Sequence, residues 1–160
     1  MNDQFAAEPG SVDDLPIRLL QRVCNEYFLD SAAALADVFG GDLVKGLVFL
    51  AILRANVGHL EHDSATARTY STLDQPPPDD MRAPTTVYAV AKALGLTYET
   101  ARRHVNWLID KRFCSRTPDG LVVTAETLKL PALIRGNMRN LANFKRFMAA
   151  VKQAGLDDLV

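Results

Sequence analysis

The chain has 160 residues, of which 48% are hydrophobic and 23% are charged, a composition typical of an ordinary globular protein. Its net charge of −1 conceals an asymmetry, because residues 1–81 carry a charge of −8 and residues 82–160 carry +7. The two cysteines are far apart in the sequence, which argues against a disulfide framework and against a structural zinc site. The basic second half would suit a phosphate-bearing partner.

The first third of the chain is predicted to be a flexible tail followed by helices. Residues 1–12 are small and polar, and they lack the basic and apolar regions of a secretory signal. Apolar residues recur at helical spacing after Asp13, so we expect a helix there with Cys24 in its buried stripe. A second, alanine-rich helix is expected over 31–39, where two glycines end it.

The segment 43–60 is the most apolar part of the chain, and its first half is apolar nearly all round. A helix of this kind is buried, either in the centre of a domain or in a subunit interface. Its most hydrophobic run, 43–53, has 11 residues and is too short to span a bilayer. We therefore expect a soluble, cytoplasmic protein with no membrane contact, in which 13–73 is a helical region for dimerisation or sensing.

Residues 74–83 contain three consecutive prolines and three aspartates. This composition predicts a semi-rigid linker or an exposed loop. Because the sign of the charge also changes here, we expect a domain boundary in this segment.

Residues 84–124 are predicted to form two helices joined by a tight turn and followed by a β-hairpin. Thr86 is placed to cap the first helix and Thr97 to cap the second. Gly95 lies between them, where the turn needs a residue that tolerates positive φ. Short alternating strands over 113–116 and 121–124 then flank a strong turn signal.

The second of these helices is predicted to have one buried and one exposed side. At about 100° per residue, its inward side carries apolar residues: Ala101, Val105, Leu108 and Ile109. Its opposite side carries mostly polar residues: Glu99, Thr100, Arg103 and Asn106, flanked by Arg102 and His104. Arginine and asparagine read guanine and adenine edges through paired hydrogen bonds. Trp107 lies further along the helix and is expected to pack against another element.

The stretch AKALGLTYETARRHVNWLIDKRFCSRTPDGLVVT resembles the winged helix-turn-helix of bacterial transcriptional regulators, the broad MarR, IclR and GntR-like group. The resemblance covers about 40 residues and implies that the recognition helix, 97–111, enters the DNA major groove. It implies base contacts from the first two turns of that helix: Tyr98, Thr100, Arg102, Arg103 and Asn106. It makes Thr86 and Arg116 candidate phosphate contacts. Arg112 departs from the pattern, because such proteins commonly have glycine there.

The last segment, 125–160, is predicted to contain a long helix that begins at Pro131. Its apolar residues follow a heptad-like pattern and form the expected dimerisation set: Ile134, Leu141, Phe144, Met148 and Val151. This helix could instead fold over the N-terminal helices as ordinary core. We favour a homodimer built from this helix and the apolar 43–60 helix together, because two-fold dimers reading half-sites about one DNA turn apart are common for this motif.

The sequence thus predicts a mainly α protein with a small β-hairpin, acting as a DNA-binding transcriptional regulator without catalysis. No nucleophile–base–acid arrangement or phosphate-binding glycine loop is present. His59 and His62 lack a convincing third ligand, so no metal or cofactor is expected. Cys114 is expected to be a buried, inert thiol. Two alternatives remain open: an adaptor of the same fold that binds a protein partner, and a regulator that senses a small-molecule effector.

Overall fold

The computed structural model describes residues 16–156, so the predicted tail over 1–12 lies outside the described residues. Their helices and strands, in chain order, are α1 Ile17–Val38, α2 Leu43–Val57, α3 Ser64–Thr69, α4 Val87–Leu94, α5 Tyr98–Asp110, β1 Ser115–Thr117, β2 Gly120–Val122, α6 Ala125–Leu128 and α7 Pro131–Gln153. The two strands pair antiparallel. A mainly helical chain with a small hairpin is therefore confirmed.

The first helix is longer than the sequence predicted. We expected a break at Asp30, but α1 runs unbroken through this residue, because no glycine or proline lies within the helix. Asp30 pairs with Arg146 of α7 instead of capping a new helix. Cys24 is exposed on α1, so its predicted place in the core is wrong.

α1 and α7 pack against each other as a long antiparallel pair. Tyr27 of α1 lies between two rings of α7, with its ring centroid 6.2 Å from that of Phe144 and 5.0 Å from that of Phe147. Asp37 accepts a hydrogen bond from Arg139 further along the same pair. Part of the charge asymmetry of the sequence is therefore neutralised inside the chain, between acidic α1 and basic α7.

α2 is the central helix, and it packs against α1, α4, α5 and β2. Asp42 caps its N-terminus by accepting a hydrogen bond from the Lys45 amide at 3.2 Å. Val48, Phe49 and Ile52 are at most 2% exposed. The prediction of a buried apolar helix is thus confirmed for one side of α2, which lies in the core, whereas Leu47 (39%) and Leu50 (43%) on another side are exposed within the single chain.

The segment Leu43–Leu60 has a mean hydropathy of 1.5 over 18 residues, which by length and composition alone would suffice to cross a membrane. In the structure the α-helix ends at Val57, and its buried side chains contribute to the core described above. A helix in the core of a protein can have the same length and hydropathy, so these two properties do not by themselves identify a membrane span.

The core does not divide at the predicted boundary over 74–83. One hydrophobic cluster includes residues from both sides, such as Phe49 and Val105. The Pro-rich segment is itself held by Arg82, whose buried side chain donates hydrogen bonds to Asp79 at 3.1 Å and to the Pro77 carbonyl at 2.7 Å. Nη1 of Arg82 is buried without a hydrogen-bond partner among the described residues, so Nε and Nη2 alone make these contacts. The two contacts fix the segment as a connection within one core.

Arg112 adopts a left-handed conformation with φ of 61° just after α5. Its amide donates to the Ile109 carbonyl and the Phe113 amide donates to the Leu108 carbonyl, which together form a Schellman cap. A residue with a Cβ is strained in this position, whereas glycine is not. The site where the sequence departs from the family pattern is thus a site of backbone strain.

Replacing Arg112 with glycine is expected to raise the free energy of unfolding by about 0.5–1 kcal/mol, because glycine relieves the left-handed strain. Lys111→Gly is the matched control, since Lys111 has φ of −89° and is not strained. Glycine at this position only increases the conformational entropy of the unfolded chain, so it should lower the free energy of unfolding. Urea denaturation measures both variants. Equal destabilisation by the two changes would contradict strain at Arg112.

Candidate nucleic-acid interface

α4 and α5 are joined by a tight turn whose geometry follows the local sequence. Gly95 has φ of 64° and ends α4, as predicted. The Thr86 hydroxyl accepts a hydrogen bond from the Ala89 amide at 3.1 Å. The Thr97 hydroxyl accepts one from the Thr100 amide at 3.2 Å. Both predicted caps are confirmed, and they fix where each helix begins.

The buried sides of the two helices also agree with the sequence. Val87, Val90 and Ala91 of α4 are buried. The buried apolar residues of α5 are Ala101, Val105 and Leu108, while Ile109 is half-buried. This packing fixes which side of α5 faces outward.

The outward side of α5 carries the candidate base-reading residues. Arg102, Arg103 and Asn106 are exposed, Tyr98 is 54% exposed and Thr100 is half-buried. Arg102 forms a two-point ion pair with Glu99, with nitrogen–oxygen distances of 3.0 and 2.8 Å.

Arg103 makes no ion pair within residues 16–156. The two neighbouring arginines of α5 therefore differ: Arg102 is held by an acid one turn before it, whereas Arg103 presents an uncommitted guanidinium.

His104 does not flank the exposed side, and this prediction is wrong. The side chain is 7% exposed, because the N-terminal end of α2 lies beside it. Burial lowers the pKa of His104, while the nearby Asp42 carboxylate opposes that shift. Trp107 packs as predicted, with its ring stacked on Phe113 at 6.1 Å and the Lys45 ammonium 4.4 Å from its centroid.

The hairpin is shorter than predicted at both outer ends, and its strands, Ser115–Thr117 and Gly120–Val122, lie closer to the turn. β1 begins at Ser115, because the left-handed Arg112 and the cap after it occupy the preceding residues. Thr85 bridges Leu121 through two backbone hydrogen bonds of 3.1 and 2.7 Å, so the hairpin is fixed to the start of α4. Arg116 is exposed on β1.

Asn56 connects the parts of this unit, and the sequence analysis missed it. It is fully buried at the end of α2. Its amide nitrogen donates to the Ala83 carbonyl at 2.8 Å and to the Leu121 carbonyl at 3.1 Å, and its oxygen accepts from the Val123 amide at 2.8 Å. The sequence signal that could have indicated this role is an asparagine near the end of an otherwise mostly apolar helix.

The cysteine and histidine residues offer little for chemistry here. Cys114 is buried as predicted, and burial raises the pKa of its thiol to about 11, so it is protonated at neutral pH. His59 and His62 are exposed. Within the described part of the chain, no three His, Cys, Asp or Glu side chains are grouped to hold a metal ion.

The residues of α7 predicted to form the dimer interface differ in whether the single chain leaves them exposed. Leu141, Phe144 and Met148 are 40–45% exposed, and Ile134 is half-buried. Val151 is 2% exposed within the single chain, so it is not available to a second copy. The reason is its position one turn after Phe147, on the side of α7 that packs on α1.

The structure thus brings the candidate DNA contacts into one unit of two helices and a hairpin. Five lie along α5, Thr86 caps α4 and Arg116 lies on β1. Comparisons with protein-family models, with curated proteins and with solved structures found no match for this chain.

Proposed function

We propose that this chain is a cytoplasmic, sequence-specific DNA-binding transcriptional regulator that acts as a homodimer. In this proposal α4, α5 and the hairpin are a winged helix-turn-helix, similar to that of the broad MarR, IclR and GntR-like group, and α5 enters the major groove. The observation that carries the proposal is the outward side of α5, where an uncommitted Arg103 and Asn106 lie one turn apart on a capped, well-packed helix.

The chemistry of these side chains suits base reading. Arginine forms two hydrogen bonds to guanine and asparagine forms two to adenine, each pair contributing about 1–3 kcal/mol of discrimination. Arg102 can exchange Glu99 for DNA at small cost, because an exposed ion pair of this kind contributes about 0–1 kcal/mol.

Two further residues support contacts to the phosphate backbone. The Thr86 hydroxyl accepts from the Ala89 amide and keeps its own proton to donate to a phosphate oxygen. Arg116 supplies a cation on the hairpin, which is tied to the start of α4 through Thr85. Such contacts would set the register of α5 on the duplex.

The exposed apolar row of α7 supports the homodimer. Met138, Leu141, Phe144 and Met148 are each at least 40% exposed on one helix that is otherwise packed on α1. A row of this kind gains free energy when a second copy covers it. Pairing of two α7 helices would place two α5 helices in one two-fold assembly.

Leu141→Asp is expected to convert the dimer to a monomer at micromolar concentration, because a carboxylate would be desolvated in the interface. Ala142→Asp is the matched control, since Ala142 is also exposed but lies outside the apolar row. Light scattering measures the mass of both variants. A Leu141→Asp variant that stays dimeric would refute this role of α7.

Selection of bound sequences from a random duplex pool tests the function directly. We expect a palindromic consensus, because a two-fold dimer reads two equivalent half-sites. The affinity for the selected duplex should fall steeply as salt rises, since phosphate contacts release counterions. A chain that enriches no sequence and shows no salt-dependent binding would favour the protein-binding adaptor.

A further inference from the structure

A cavity of about 310 Å³ lies between α1, α2 and α7. Leucine and phenylalanine side chains form most of its wall, among them Phe28, Leu35, Leu47 and Leu50. Phe28 is 67% exposed and the side chains of Leu47 and Leu50 are also exposed, so the mouth of the cavity is apolar. Small-molecule sites in proteins span about 300–1,000 Å³ and are mostly apolar. This cavity therefore has the size and lining of a site for a small ligand.

Three polar side chains also line the cavity: Ser31, Asn137 and Asn140. The Ser31 hydroxyl oxygen is buried and has no hydrogen-bond partner within residues 16–156. A buried hydroxyl without a partner is unfavourable, and in its present rotamer its oxygen has less than 1 Å² of accessible surface. A ligand gains affinity from it only if the Ser31 side chain rotates toward the cavity, where a donor or acceptor of the ligand would replace the missing partner. No Lys, Arg, His, Asp or Glu of the described chain lines the cavity. A charged ligand would lose its hydration there without gaining a counter-charge.

Aromatic rings connect the cavity to α5. Phe39 and Phe49 line the cavity and contact each other at 5.1 Å between ring centroids. Phe39 also contacts Phe113 at 4.9 Å, and Phe113 stacks on Trp107 of α5 at 6.1 Å. These rings form a continuous row of contacts from the cavity wall to α5, and densely packed interiors transmit strain.

We propose that this cavity is an effector site for a neutral, largely apolar small molecule with one hydrogen-bonding group, and that its occupancy repositions α5. The ligand's apolar body contacts the leucines of α2 and its polar group bonds to Ser31. The effect on DNA rests on the proposed function, whereas ligand binding itself does not.

A second copy of the chain is a less suitable occupant of the same cavity. Helices of one chain wall it on three sides. The exposed apolar row of α7 would pack leucine, phenylalanine and methionine side chains, and none of these could satisfy the Ser31 hydroxyl.

Titration of the full chain with 1-octanol, and with octanoate as its charged counterpart, tests the binding. Trp107 is the single tryptophan of the chain, so its fluorescence reports on the contact of α5 with its neighbours Phe113 and Lys45. We expect a saturable calorimetric signal of one 1-octanol per chain with a parallel change in fluorescence, and at least tenfold weaker binding of octanoate. Equal binding of both probes, or binding that leaves Trp107 unchanged, would overturn the proposal.

Two variants locate the site. Ala32→Phe fills the cavity that Ala32 lines, and we expect it to weaken 1-octanol binding at least tenfold. Ala33→Phe is the matched control, because Ala33 is exposed and does not line the cavity. Ser31→Ala is expected to weaken binding about three- to tenfold by removing the polar contact. Unchanged affinity in both Ala32→Phe and Ser31→Ala would refute the site.

A final pair of measurements separates the two proposals. If 1-octanol changes the affinity for the selected duplex at least threefold in the unaltered chain but not in Ala32→Phe, the coupling is supported. If the chain binds no DNA, the proposed function fails while the titration still tests the cavity. If 1-octanol lowers the molecular mass in light scattering, a second copy occupies the cavity and the small-molecule proposal is overturned.

Discussion

Replacing Asn56 with alanine is expected to lower the free energy of unfolding by about 3–5 kcal/mol. The change removes three hydrogen bonds and leaves the Val123 amide and the Ala83 carbonyl without the Asn56 side chain, while the Leu121 carbonyl keeps only the Thr85 amide. Each buried polar group left unsatisfied costs about 1–3 kcal/mol. Urea denaturation measures the loss. Hydrogen exchange of the Val123 amide should accelerate as well, because its acceptor is gone.

The control for this change is Asn25→Ala. Asn25 is exposed on α1, and exposed substitutions of this kind change stability by at most about 0.5 kcal/mol. A loss below about 1 kcal/mol in Asn56→Ala would show that its three contacts do not hold the hairpin to α2. The expected loss of hairpin anchorage should also weaken DNA binding, because Arg116 is positioned by the hairpin.

The double variant Arg102→Ala/Arg103→Ala is expected to weaken binding to the selected duplex at least about 30-fold. Each arginine contact to a base contributes about 1–3 kcal/mol, and each 1.4 kcal/mol is a factor of ten. Both side chains are exposed, so the fold should be unaffected. Fluorescence anisotropy with labelled duplex measures the affinity, and thermal melting checks the fold.

Arg135→Ala is the matched control, because Arg135 is an exposed arginine on α7, away from the α4–α5 unit. It removes one cation and should leave the affinity within about threefold, as expected for a distant, screened charge. Unchanged binding by the double variant would refute α5 as the reading helix. The single variants then assign a role to each arginine. Removing a base contact relaxes the sequence preference, whereas removing a phosphate contact lowers the slope of log affinity against log salt concentration by about one.

Much of the α4–α5 unit could be predicted because its signals are local. Thr86 and Thr97 accept hydrogen bonds from amides three residues later, and Gly95 adopts the left-handed conformation that ends α4. Because these interactions are local, the residue types alone predict the caps and the turn. The inward side of α5 follows from helical periodicity alone. The strained Arg112 was also visible, since it replaces the glycine that such a helix end commonly has.

Three of the errors share one cause, which is contact between residues far apart in the chain. His104 lies on the polar flank of α5, and only the approach of α2 buries it. Val151 fits the apolar row of α7, but its side of that helix packs on α1. The Pro-rich segment has the composition of a linker, and only the buried Arg82 shows that it is fixed.

The sequence by itself determined α2, α4, α5 and α7, the caps at Thr86 and Thr97, the turn at Gly95 and most of the polar residues exposed on α5, because these depend on interactions within a few residues. Only the tertiary structure decided that Asn56 joins α2 to the hairpin and that α1, α2 and α7 line an apolar cavity with an open mouth. It also decided that Arg102 is paired, whereas Arg103 makes no ion pair among the described side chains, which are those of 16–60 and 62–156. Those features depend on which helices and strands pack against each other. Hydrogen bonds between residues more than 60 positions apart in the chain produce no periodic pattern in the sequence.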